Sequence, residues 1–188
     1  MKKKNLLMMA LSLCLVAVIA VGGTLAYLSD TAASVTNTFS FGSIDVTLSE
    51  EEPAPVENET ITANEENGYS YKNVVPGQHL NKAPKLTVTT SVDAYVFARV
   101  TVGTNLTLGT ITTGWKQVPG TTNVWYKEVT GQEGEVQDLQ TLFTQVTVGN
   151  SNDELGDIKI EVAAVQQYGF DSVEAAYAAA NNDKVFQA

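Results

Sequence analysis

One histidine, one cysteine and 21 acidic residues bound the catalytic chemistry open to this 188-residue chain. A hydrolytic zinc site draws on several His or Cys ligands, yet His79 is the sole histidine and no His-Glu-x-x-His spacing occurs. His79 follows the turn-forming pair Pro76-Gly77, so it reads as a solvated loop histidine. No serine or lysine sits in a recognisable nucleophile motif, although a Ser/His/Asp triad is a spatial arrangement and sequence leaves it open. The stretch Asn150-Ser151-Asn152-Asp153-Glu154-Leu155-Gly156-Asp157 is rich in calcium-type oxygens. Its glycine is displaced and no glutamate closes the loop, so it fails the EF-hand pattern and reads as a solvated turn between two strands. Trp115, Trp125, Tyr126 and Tyr69 could stack on sugars in a carbohydrate-binding module, but aromatics in a β-sandwich are more often core or rim packing. These residues point to no enzyme, no bound metal and no cofactor.

Composition narrows the class further. With 44% hydrophobic and 17% charged residues, the chain is long enough for one sizeable core and short for two. A net charge of −10, with Lys2, Lys3 and Lys4 bunched at the N-terminus, argues against a nucleic-acid partner, which requires clustered cations to displace phosphate counterions. The first 26 residues read as an export signal: the three lysines, an apolar run of 16 residues from Leu6 to Val21, then Gly22-Gly23-Thr24-Leu25-Ala26. That run falls short of the ~18–20 apolar residues that span a bilayer comfortably, which favours cleavage over stable membrane insertion. Small residues at Thr24 and Ala26 place the cut before Tyr27. Removing residues 1–26 takes away three cations and no acid, leaving 162 residues with net charge −13. Cys14 leaves with the signal, so the secreted product carries no thiol and must be held by its core and its backbone ladders.

The elements that must position everything else follow a period of two. Ile44, Val46 and Leu48 alternate with Asp45 and Thr47, and Leu86 and Val88 alternate with threonines. Val92, Ala94, Val96, Ala98, Val100 and Val102 form one apolar face, while Tyr95, Phe97 and Arg99 lie opposite, as in a central strand covered on both sides. Adding residues 69–74, 106–111, 124–129, 143–148 and 158–165 gives about eight strands, the number expected of a jelly-roll-like β-sandwich. Residues 50–68, with Pro53, Pro55 and a run of glutamates, read as an exposed acidic loop, and residues 131–134 as a tight turn. One short C-terminal helix is expected: Asp171 can cap it, Glu174 stands three residues on, and Val173, Ala176, Tyr177 and Ala180 share a face before Asn181-Asn182. The fold class is therefore all-β with one helix packed as a lid.

Phe39 and Phe41 are odd-numbered whereas the apolar residues after Gly42-Ser43 are even, so one strict strand cannot present both sets on one face. Gly42 divides a leading segment, residues 27–41, from a β-sandwich domain, residues 42–188; a chain crossing between sheets accounts for the same change.

The block Gly22-Gly23-Thr24-Leu25-Ala26-Tyr27-Leu28-Ser29-Asp30-Thr31, followed by Asn37-Thr38-Phe39-Ser40-Phe41-Gly42-Ser43-Ile44-Asp45-Val46, resembles the N-terminus of TasA and camelysin proteins of Gram-positive bacteria. Val75-Pro76-Gly77-Gln78 with Lys82, Asp93-Ala94-Tyr95-Val96-Phe97-Ala98-Arg99-Val100 and Ala164-Val165-Gln166-Gln167-Tyr168-Gly169-Phe170 resemble that family's turn, central strand and closing strand. The resemblance implies removal of the signal by a SipW-type peptidase, a jelly-roll domain and a secreted subunit of biofilm-matrix or cell-surface fibres. It further implies that residues 27–41, with Tyr27, Leu28, Phe39 and Phe41 as contacts, act as a donor strand in self-association. The chain is shorter than long TasA-type subunits and closer to camelysin, a family also classed as metallopeptidases. A surface metallopeptidase and a monomeric adhesion or sugar-binding module are the alternative expectations.

Overall fold

The structure is a computed structural model, and it describes residues 4, 43–56, 59–64, 68–151, 153–182 and 186. The chain divides into two units, Met1–Ser40 and Phe41–Ala188. Thr24, Ala26, Tyr27, Leu28, Phe39, Phe41 and the boundary at Gly42 lie outside the described residues. Apart from residue 4, every described residue belongs to the second unit.

That unit is all-β with one short helix. Its strands are β1 (Ile44–Glu50), β2 (Thr60–Ala63), β3 (Tyr69–Lys72), β4 (His79–Asn81), β5 (Pro84–Thr90), β6 (Ala94–Val102), β7 (Leu106–Leu108), β8 (Lys116–Gln117), β9 (Val124–Val129), β10 (Gln132–Thr141), β11 (Gln145–Val148) and β12 (Ile158–Gln166), and the helix is α1 (Val173–Asn182). They form antiparallel sheets in the orders β1-β5-β10, β4-β11-β7, β12-β6-β9-β8 and β2-β3. The twelve strands among the described residues exceed the eight expected, because β2, β4, β8 and β10 carry little apolar alternation.

Alternation explains the register. Ile44, Val46 and Leu48 of β1 pair with Thr90, Val88 and Leu86 of β5, so one face of each strand turns inward together. Leu86, Val88, Val96, Ala98, Val100, Val129, Leu139, Phe143, Val146 and Val162 close the main core between sheets. The other face of β6 is also covered, as a central strand requires. There Phe97 is fully buried, with Ala163 of β12 and Tyr126 of β9 as its ladder partners. Ala176 and Ala180 of α1 complete that second core with Val118 and Val124. The helix is thus a cover on the outer face of the four-stranded sheet.

Three expectations need correction. The capping side chain of α1 is Ser172, whose Oγ accepts from the Ala175 N–H at 3.2 Å, and not Asp171. Of the turn expected at 131–134, Gly131 lies in the connection between β9 and β10, but residues 132–134 belong to β10: Gly134 has φ +75° and sits where the pairing with β5 shifts between Gln132 and Val136. A glycine tolerates that left-handed backbone, so the strand bulges and continues where a strict alternation pattern would end. The acidic stretch after β1 is not simply an exposed loop, since it contains β2 and the buried Pro53 and Glu59.

Candidate functional site

His79 lies on β4 rather than in a loop. It is exposed, and its Nδ1 is 2.9 Å from Thr147 Oγ1 on the neighbouring strand β11. The turn before it is real, however: Gln78 N–H donates to Val75 C=O at 3.1 Å with Gly77 at φ +78°, as a Pro-Gly turn demands. Among the described residues, no group of three or more His, Cys, Asp or Glu side chains is placed to hold a metal ion.

The stretch 150–157 connects β11 to β12, and Asn152 lies outside the described residues. Asn105, at φ +59°, laces the stretch down: its Nδ2 donates to Ser151 C=O at 3.1 Å and its Oδ1 accepts from Ser151 Oγ at 3.1 Å. Gly149 and Gly156 donate backbone N–H groups to Asn105 and Thr104 carbonyls. The Ser151 hydroxyl and carbonyl are thus engaged in holding the loop.

Nor do the aromatic residues share a sugar-binding face. Trp115 is buried and Trp125 packs against the main core, whereas Tyr126 stacks on the opposite face with Tyr95 at 6.0 Å and Phe97 at 6.5 Å. Tyr69 stands apart on the β2-β3 hairpin.

What the structure does bring together is a buried polar cluster at the base of that hairpin. Glu50, the last residue of β1, accepts from Lys82 Nζ at 2.8 Å, with side chains only 10% and 13% exposed. Glu59 Oε1 accepts from Val56 N–H at 2.9 Å, and its Oε2 accepts from Gln78 Nε2. Tyr71 Oη donates to Asn81 C=O at 2.7 Å, and Lys82 Nζ stands 5.4 Å from the Tyr71 ring centre. Burial first, then the charges of Glu50 and Glu59, push the Tyr71 phenol well above the ordinary tyrosine range. Both carboxylates thus act on Tyr71, Lys82 pairs with Glu50, and Glu50 Oε1 is buried without a hydrogen-bond partner among the described residues. Sequence reasoning missed this cluster because its pairs span 19 and 32 residues and its members look like loop polar residues. The nearest available signal was Pro53 and Glu59 amid an otherwise soluble stretch.

A second polar tie secures α1. Arg99 Nε donates to Glu161 Oε2 at 2.9 Å, Arg99 Nη1 donates to Asn181 Oδ1 at 2.9 Å, and the Phe186 ring lies 4.3 Å from the guanidinium. The hydrogen bond from Arg99 holds the Glu161 carboxyl below the usual glutamate range.

For self-association the relevant geometry is at the sheet edges. In β1-β5-β10 the outer edges of β1 and β10 have no ladder partner among the described residues. β10 is exposed along most of its length, with Val136 at 70% exposure. Exposed Glu133 and Glu135 make this edge acidic, which discourages pairing with a second copy of itself.

No family model, curated protein or solved structure matches this chain.

Proposed function

We propose that the mature chain is a secreted structural subunit of extracellular-matrix or cell-surface fibres, assembling through residues 27–41. In this reading a SipW-type peptidase removes the signal after Ala26. Tyr27, Leu28, Phe39 and Phe41 then belong to an extended segment that adds as a strand to a neighbouring copy. The observation that carries the reading is the N-terminal block itself, from Gly22 through Phe41: after Asp30 it holds no charge and no proline, so it can extend and pair. A body made of antiparallel ladders, with sheet edges that lack a partner among the described residues, supplies main-chain donors and acceptors of the kind such a strand needs.

Energetics favour the idea if the two rings are buried. Two phenylalanines contribute roughly 3–6 kcal/mol before ordering costs, enough to drive association into a complementary groove. The charge of −13 on the mature chain opposes it, so salt should strengthen assembly by screening. The test is sedimentation of the mature chain over a salt series, beside Phe39→Ala with Phe41→Ala. The double variant is expected to stay a folded monomer at every salt concentration. Oligomers identical to those of the unaltered chain would remove the segment from assembly.

A further inference from the structure

We propose that the largely buried Lys82–Glu50 pair is the site of an intramolecular amide cross-link, formed when the ammonium and the carboxylate condense with loss of one water. Lys82 Nζ and Glu50 Oε2 are 2.8 Å apart, both side chains are nearly nine-tenths buried or more, and the Tyr71 ring walls the lysine on one side. The pair is held in contact by the fold: Glu50 is the ladder partner of Pro84 where β1 ends and β5 begins, and Lys82 lies two residues before Pro84, between β4 and β5. Lys82 is fixed by its own backbone N–H, which donates to Thr144 C=O at 3.0 Å.

Two features make this pair unlike an ordinary surface ion pair. A buried ion pair carries a desolvation penalty for each charge, and that penalty is relieved if the two charges become one neutral amide. In addition, Glu50 Oε1 is buried without a hydrogen-bond partner among the described residues, so the oxygen that must leave gives up no hydrogen bond. The reaction balances without an oxidant or any other reactant. Nζ forms a bond to the Glu50 carboxyl carbon, the carbon–Oε1 bond breaks, and two protons of the ammonium depart with that oxygen as water. Oε2 remains as the amide carbonyl. The product fastens the end of the β1–β5 ladder and closes the excursion that contains β2, β3 and β4. Its value to the protein is covalent restraint in a mature chain that has no thiol.

The proposal does not depend on assembly. It is tested by intact-mass measurement on the exported full chain and on Lys82→Arg, with tryptic mapping of both. The unaltered chain is expected to be lighter than its sequence by one water. Trypsin should then fail to cut after Lys82 and should release a branched peptide joining the Glu50 and Lys82 fragments. Lys82→Arg should have its full sequence mass. A full-mass unaltered chain with normal cleavage after Lys82 would overturn the proposal. So would a mass deficit that persists in Lys82→Arg, since it would place the loss elsewhere. The branched peptide is read on the unaltered chain, so the outcome stands even if Lys82→Arg fails to fold.

Discussion

Replacing Phe97 with alanine isolates the second core, the layer between the four-stranded sheet and α1. Phe97 is 0% exposed and its ring lies 6.2 Å from Tyr95, 6.5 Å from Tyr126 and 5.7 Å from Tyr177 of the helix. Truncating a buried phenylalanine costs about 3–5 kcal/mol through lost transfer energy and the cavity left behind. Three aromatic neighbours, each worth roughly 0.5–1.5 kcal/mol beyond area, place this site toward the upper end. For a domain of this size the melting temperature should fall by about 6–20 °C. Urea unfolding followed by circular dichroism measures the cost directly, with the slope unchanged if the folded state is otherwise intact. Val96→Ala, one residue away but facing the main core, removes about two methylene equivalents, or ~1.6 kcal/mol before its cavity. If Phe97→Ala costs less than Val96→Ala, or less than about 1 kcal/mol, the helix is not held by that ring and the two-core description of β6 fails.

Other positions give independent checks. Because the folded Glu161 carboxyl sits below its ordinary value, its contribution is present above that value and is lost as pH falls through the folded one; Glu161→Gln should flatten the acid limb of a stability-versus-pH curve, and an unchanged limb would count against the Arg99 pair. A methyl group at Gly149 would collide with the Asn105 side chain, so Gly149→Ala should cost roughly 1–3 kcal/mol in urea unfolding. Asn105→Gly in the same chain should recover part of that loss, since Asn105 already adopts a left-handed backbone. Mass spectrometry of exported protein should find Tyr27 at the N-terminus, and protein retaining residues 1–26 at the membrane would contradict it.

Where one face of a strand meets a core, the sequence was readable. β5, β6 and β12 show their alternation because Leu86, Val88, Val96, Val100 and Val162 must all turn inward. β10 hid itself for the opposite reason: an edge strand exposed on most of its residues has little to alternate, and Gly134 reads as a turn when it is a bulge. β4 and β8 are three and two residues long, too short for any period. The polar cluster was invisible because burial of Glu59 and Gln78 is decided by partners distant in sequence, and a glutamate's type says nothing of its pairing. His79 and the four aromatics could be named but not placed, since a side chain's neighbours across strands depend on strand order, which alternation does not encode.

The most direct test of assembly through residues 27–41 is electron microscopy of the mature chain beginning at Tyr27 beside the same chain lacking those residues, both at raised salt. Filaments from the first and monomers from the second, with strand-dominated circular dichroism in both, are the expected result. Filaments from the shortened chain, or none from the complete mature chain, would contradict the account.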